Sequence, residues 1–256
     1  MAHIAAATAK VATLPMRVAV ISDVHANYQA LEAVLRDVDG AGVDAVWCLG
    51  DTVGYGPLPN ECCDAVRMRN DHCLVGNHDL VALGELDLGD FNDEAAAAAR
   101  WTAEVLEPEA RDFLQKLEPL GRVDSVDLFH ASARDPVWEY VLTEEAARAT
   151  LELSTAPIVL VGHSHVALAI AQAGSEVVGG LAPGGTEVGL EGRWLLNPGS
   201  VGQPRDGDPR AAWLLLDLGR RFAAFRRVPY PVERTQGEMR ERGLPETLAS
   251  RLERGE

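Results

Sequence analysis

The sequence predicts an α/β (α+β) fold in which two β-sheets lie between helices. Three observations predict it. Apolar runs within residues 17–22 (Val18–Ile21) and 157–162 (Pro157–Val161) have the composition of strands covered on both faces. Strand-like and helical segments alternate over residues 17–76 in the order β-α-β-α-β, which implies a parallel sheet with right-handed crossovers. Residues 166–228 then hold several short strands joined by Gly-rich turns, the pattern of an antiparallel meander.

The elements follow in order. After the strand at 17–22, Asn27 caps a helix whose stripe is Tyr28, Leu31, Val34, Leu35 and Val38, and Gly40 and Gly42 end it. "VDAVWCLG" (43–50) is a second strand, "PNECCDAVRMR" (59–69) a second helix and "HCLVG" (72–76) a short third strand. "DEAAAAARWTAEVL" (93–106) is a strong helix by propensity, and residues 109–117 form another. The pair, at 93–117, is either a lid or packing. "VDSVDLFH" (123–130) alternates apolar and polar residues, as a half-exposed strand does. Thr143 caps a helix over 143–153, 157–162 is a buried strand, and the tail from 231 reads as one or two helices. No repeat or low-complexity linker divides the chain. We read a loose N-terminal extension (1–15), with Met16 as a candidate natural start, and a single domain over 16–256.

Composition limits the function. The 256 residues are 24% charged and 47% hydrophobic, ample for a core, and the formal charge of −16 argues against non-specific polynucleotide binding. No 18-residue apolar span is present, so no membrane helix is expected, and the Ala-rich start makes a poor signal peptide. Cys48, Cys62, Cys63 and Cys73 read as free thiols in a reducing cytosol, so a cytoplasmic location is expected.

The histidines carry the chemistry. Five of the seven, in "SDVHAN", "GNHD", "FHAS" and "GHSH", sit just after predicted strands, with Asp51 and Asn77 at similar strand ends. In open sheets, ligands bind beyond the carboxyl ends of the strands. On an extended chain the i and i+2 members of Asp-x-His and His-x-His face one side, so each pair can grip one ion. Glycines 50, 76 and 162 let the backbone approach the site. Asp23, His25, Asp51, Asn77, His130, His163 and His165 are seven donors without a thiolate. That set suits Mn, Fe, Zn, Co or Ni, and fits two ions better than the four ligands of one tetrahedral zinc. Two ions about 3.5–4 Å apart clamp a phosphoryl group.

The order Asp-x-His, Gly-Asp, Gly-Asn-His-Asp, His, Gly-His-x-His resembles the calcineurin-like metallophosphoesterase superfamily, and "NPGSVGQPRDGDPRAAWLLLD" (197–217) resembles its small bacterial and archaeal phosphodiesterase branch. The resemblance implies a four-layer αββα sandwich with two mixed β-sheets flanked by helices. It implies that Asp23, His25 and His165 hold one metal, that Asn77, His130 and His163 hold a second, and that Asp51 bridges them. Mn²⁺ is the favoured ion. A metal-bridging hydroxide would attack a small phosphodiester in line. His78 would assist the leaving group or stabilise the phosphoryl oxygens, with Asp79 orienting it.

Two departures bear on the substrate. Gly54-Tyr55-Gly56 stands where serine/threonine phosphatases and diadenosine tetraphosphatases carry Asp-Arg-Gly, which argues against those substrates. Ala131 replaces a common glycine. Arg134, with Trp138 and Tyr140 beside it, Tyr55 and Arg205 are candidate substrate contacts. The rival functions are a phosphomonoesterase or nucleotide hydrolase on the same site, and a catalytically silent metal-site scaffold like the retromer subunit of this fold. That subunit's branch lacks the histidine matching His78. The expected partner is a small phosphoester, with no membrane or polynucleotide, and homo-oligomerisation is left open.

Overall fold

A computed structural model describes residues 16–256. The extension read over 1–15 lies outside the described residues. β1 (Arg17–Ile21) leads into α1 (Tyr28–Ala41), whose cap is Asn27: its side chain accepts from the Ala30 amide at 3.2 Å. The helix runs through Gly40 and stops only at Gly42, which takes a left-handed φ of 65°. β2 (Ala45–Cys48), α2 (Pro59–Arg69) and β3 (His72–Cys73) follow as read. A short helix, α3 (Asn77–Leu83), then starts inside "GNHD", where a strand-end loop was expected. α4 (Asp93–Val105) and α5 (Pro108–Leu114) come next.

The stretch read as one strand over 123–130 is a hairpin of β4 (Leu120–Val123) and β5 (Val126–Phe129), turning at Asp124 with φ 50°. β5 is mostly buried rather than half-exposed. Its polar residue, Asp127, is tolerated inside because Arg122 Nη2 (2.8 Å) and Ser154 Oγ (2.6 Å) donate to its carboxylate. α6 (Glu144–Leu153), capped by Thr143, precedes β6 (Ile158–Leu160), β7 (Ala167–Ala173) and β8 (Glu176–Leu181). The remainder is β9 (Glu187–Gly189), β10 (Trp194–Pro198), β11 (Ala211–Asp217), β12 (Phe222–Val228), α7 (Val232–Glu241) and α8 (Glu246–Ser250).

The strands form two six-stranded mixed sheets, β3-β2-β1-β11-β12-β9 and β4-β5-β6-β10-β7-β8. The expected meander is only partly realised. β7–β8 and β11–β12 are antiparallel hairpins, but β10 inserts parallel to β6, and β9 crosses to edge the first sheet beside β12. Strand alternation sets the layers. Val18 and Val20 point between the sheets at Leu128, Leu160 and Leu196, while Ala19 and Ile21 face Leu31 and Val34 of α1 and Val66 of α2. On the far side, Val159 and Leu195 pack on Ala147 and Leu151 of α6. The order is therefore helix, sheet, sheet, helix.

The helices over 93–117 pack against the rest of the chain. Ala95 and Ala98 of α4 join Tyr55, Met239 and Leu248, and Leu114 of α5 joins Val53, Cys63 and Ala82. No helix among the described residues is long and apolar enough to cross a membrane. The four cysteines are free, three of them buried.

Candidate metal centre

The loops beyond β1, β2, β5 and β6 and the first turn of α3 converge on one pocket. Asp23, His25, Asp51, Asn77, His78, Asp79, His130, His163 and His165 all lie there, none more than 5% exposed. Backbone bonds lock the loops together: the Asp23 amide donates to Gly50 O (3.0 Å), His25 N to Asp51 O (2.9 Å) and Gly162 N to His130 O (2.8 Å). The pairs do not converge by strand alternation. Asp23, His25, Asp51, His163 and His165 have φ between 49° and 60°, so each donor turns inward from a left-handed residue rather than an extended one.

Two donor groups result. One ligand atom each from Asp23, His25, Asp51 and His165 lie within 4.8 Å of one another, and so do atoms from Asp51, His130 and His163. Asp51 belongs to both. Asn77 Oδ1 joins the second group, 3.2 Å from His130 Nε2.

The ring nitrogens show what the pocket can bind. His25 Nδ1, His165 Nδ1 and His130 Nδ1 face the carbonyls of Val53 (3.1 Å), Gln203 (2.7 Å) and Leu49 (2.8 Å), and His163 Nε2 faces that of Trp138 (3.1 Å). A carbonyl only accepts, so these nitrogens carry the proton. Burial holds His25, His163 and His165 below the ordinary histidine range, so they are neutral. His25 Nε2 and His165 Nε2 then point lone pairs at each other across 3.0 Å. Asp51 Oδ2 is buried with no hydrogen-bond partner, 3.6 Å from Nε2 of both His25 and His130. Burial also lifts the Asp23 carboxyl to about 7 and that of Asp51 well above its usual range. Opposed lone pairs and an orphan carboxylate fit divalent cations, which satisfy both.

Glycines permit the close approach. A Cβ on Gly76 would enter the Asp51 carboxylate and sit 2.6 Å from the Asp51 amide, and one on Gly162 would strike Ser22 Oγ and lie 3.2 Å from Asp23 Oδ2.

His78 belongs to neither donor group. Its ring contacts those of Tyr55 (4.3 Å) and Phe91 (4.5 Å), lies edge-on to His25, and its Nδ1 is buried without a partner. Its amide donates to Asp51 Oδ1 at 2.9 Å. Asp79 does not bond the His78 ring. Its carboxylate accepts from the amides of Thr52 (3.2 Å), Val53 (2.9 Å) and Gly76 (3.0 Å), tying the Asp51 loop to the start of α3.

The weaker candidates divide. Arg134 is spent on Glu139 and Glu145 at the surface, so its guanidinium is not free for a substrate. Tyr55 and Arg205 line the site. Tyr55 contacts the rings of His25 and His78, and Arg205 Nη2 donates to Gln203 Oε1 (2.9 Å) and to Tyr55 Oη (3.4 Å). Tyr140 stacks on His163 at 4.1 Å while 47% exposed, and Trp138 meets Phe91 edge-on at 5.9 Å. Sequence reasoning missed Phe91, a lone aromatic in an acidic loop. It also missed Gln203 and Ser200, whose hydroxyl donates to Asp23 O at 2.7 Å. Both lie within the 197–217 stretch that carried the resemblance.

Known proteins resemble this chain over most of its length. Residues 16–220 match the calcineurin-like phosphoesterase superfamily domain. An uncharacterized protein of Methanocaldococcus jannaschii is 36% identical over 240 residues, 92% of this chain and 96% of that one. A metallophosphoesterase from Sphaerobacter thermophilus superposes with a TM-score of 0.87 at 41% identity, over 95% of this chain and 100% of its own. A hypothetical protein from Pyrococcus horikoshii OT3 shares the fold, with a TM-score of 0.78 at 20% identity over 94% and 98%.

Proposed function

The chain belongs to the calcineurin-like phosphoesterase superfamily, and we propose that it is a dinuclear metal-dependent phosphoesterase whose preferred substrate is a small phosphodiester. The observation that carries this reading is Asp51, one buried carboxylate shared by two donor groups. In this reading Asp23, His25 and His165 hold one ion, Asn77, His130 and His163 the other, and Asp51 lies between them. When bound, two divalent ions supply Lewis-acid charge for the phosphoryl oxygens and a water acidic enough to act near neutral pH. The donor set, oxygen and imidazole without thiolate, supports Mn²⁺ as the working metal. Four free cysteines support a reducing, cytoplasmic setting.

The chain's own groups do the rest. Burial, followed by the charge of Arg205, holds His78 well below the ordinary histidine range. A neutral His78 therefore serves as an N–H donor to the leaving or non-bridging oxygen rather than as a resident imidazolium. Phe91 and Tyr55 both contact its ring. The diester preference is supported by Tyr55 standing where monoester phosphatases carry arginine, and by Trp138 and Tyr140, which offer apolar surface for a second ester substituent.

The test is hydrolysis of an aryl phosphodiester beside the matching monoester, by chelated chain and then with added Mn²⁺. Metal-dependent turnover favouring the diester is expected. His78→Ala should keep its metal and lose about 10²–10³ in rate, as removal of a charge-stabilising donor does. Monoester preference would replace the diester reading with the phosphatase one. No turnover of either ester by protein shown to hold two ions would remove the enzymatic reading.

A further inference from the structure

We propose that Arg205 is the phosphoryl-binding arginine of this site, delivered by the segment after β10 instead of by the loop after Asp51. The inference rests on the phosphoester reading, but not on the diester preference.

The loop after Asp51 offers Tyr55 where an arginine would reach the phosphate, so a guanidinium must come from elsewhere if there is one. Arg134 is committed to two glutamates and Arg227 to Asp206, whereas Arg205 forms no ion pair among the described residues. Its guanidinium is nonetheless placed. Nη2 is held by Gln203 Oε1 and Tyr55 Oη, and Cζ lies 5.8 Å from the centroid of the Tyr55 ring. That ring is 4.7 Å from His25 and 4.3 Å from His78. Tyr55 is thus a platform that carries the cation to the edge of the first donor group.

Two further features point the same way. Gln203 O accepts from His165 Nδ1 at 2.7 Å, and the Arg205 amide donates to His165 O at 3.2 Å. One short segment therefore orients a metal-ligand candidate and carries the arginine, fixing their separation. Of the five guanidinium N–H groups, those on Nη1 and Nε have no partner, and Nε is buried. A buried, unpartnered donor beside a phosphoryl site fits an anion that arrives with the substrate.

This placement has a consequence that a merely structural arginine would not have. A fixed guanidinium beside two divalent cations repels them until an anion lies between. Arg205 must therefore weaken metal binding slightly while strengthening phosphate binding. Removing it should move the two affinities in opposite directions.

The experiment measures Mn²⁺ binding to the metal-free chain, then orthophosphate binding to the Mn²⁺-loaded chain, by calorimetry, for wild type, Arg205→Met and Arg205→Lys. Arg205→Met keeps the apolar stem. It should bind Mn²⁺ at least as tightly as wild type and bind orthophosphate about 10–10²-fold more weakly, the range for a lost charge-assisted hydrogen bond. Arg205→Lys should bind Mn²⁺ normally and fall between the two for phosphate, because it keeps the charge but not the fork. If Arg205→Met does not fold, the lysine variant alone decides: wild-type phosphate affinity there overturns the proposal. It is also overturned by unchanged phosphate affinity in Arg205→Met, by metal and phosphate affinity falling together, or by a wild-type chain that binds no phosphate. Arg205-dependent phosphate binding in a chain that hydrolyses neither ester would sustain this proposal and remove the enzymatic reading.

Discussion

Asp79→Ala separates two roles for a residue at the heart of the site. The carboxylate accepts three backbone N–H groups, from Thr52, Val53 and Gly76. Alanine leaves those donors without partners in a region closed to water, at about 1–3 kcal/mol each. Burial raises the Asp79 carboxyl despite the three bonds, so its charge is itself costly in the fold, and its removal returns part of the loss. The net destabilisation should be about 2–4 kcal/mol, which for a chain of this size lowers Tm by roughly 4–16 °C. Thermal unfolding should be followed on metal-free protein, because bound ions raise stability by mass action and would mask the difference. Asp79→Asn keeps one acceptor but turns an NH₂ toward donors, and should fall between wild type and alanine. If Asp79 instead acted by orienting His78, Asp79→Ala would leave the metal-free Tm unchanged and reduce turnover alone. A shift below about 2 °C would refute the brace.

Gly76→Ala tests the close approach without backbone strain, since Gly76 has φ −108° and ψ 178°, open to any residue. The added methyl would lie 2.7 Å from Asp51 Cγ and must displace the shared carboxylate. Turnover should fall about 10²-fold, as for a misplacement near 1 Å, with less than two metal ions retained; Gly180→Ala, which meets nothing within 4 Å, is the control. Wild-type metal content and turnover in Gly76→Ala would show that the loop yields. Metal binding should also release protons. Below about pH 7 the metal-free chain keeps a proton on Asp23, and burial raises Asp51 as well, so an incoming cation must expel what they hold. Affinity should rise with pH up to about 7 and then level off as far as Asp23 is concerned. His25, His163 and His165, held neutral by burial, add no protons. Calorimetry at pH 6 in two buffers of different ionisation enthalpy should count about one to two protons per chain, and none would refute the burial argument.

Local signals made much of this legible. Asn27 and Thr143 cap the helices they precede, and the donors gather because the strand ends point one way. What failed depended on distant partners. The 123–130 stretch kept its alternation through a turn, so the β4–β5 hairpin left no break in the pattern. Asp127 reads as solvent-facing until Arg122 and Ser154 reach it. α3 is short and starts at Gly76 without a side-chain cap bond, so nothing before Asn77 announces it. Asp79 bonds backbone amides, which every sequence has and none displays. Arg134 and Arg205 look alike as residues; only packing gives glutamates to one and a tyrosine platform to the other.

The left-handed donors explain how such a site can be held before any ion arrives. Five of the seven ligand candidates occupy φ between 49° and 60°. At the low end of the usual cost, about 1 kcal/mol each, the group stores roughly 5 kcal/mol, comparable with the net stability of many domains. The residue types keep the cost low, because Asp and His enter this region more readily than bulky or branched side chains. The compensation is on the chain itself. Bonds from Asp23 N to Gly50 O, Ala26 N to Thr52 O, Asn197 Nδ2 to Gly162 O and Ser200 Oγ to Asp23 O need no cation. A zinc finger has no such scaffold and is unfolded without metal. Here the large core between the sheets and these bonds fix the turns, so chelation should leave the fold intact and only less stable. A bound cation would relieve the opposed lone pairs of His25 and His165 and the orphan oxygen of Asp51. It would not need to build the pocket: in the proposed dinuclear site, donors set by backbone geometry, rather than by a flexible loop closing on an ion, would keep two metals at a fixed separation.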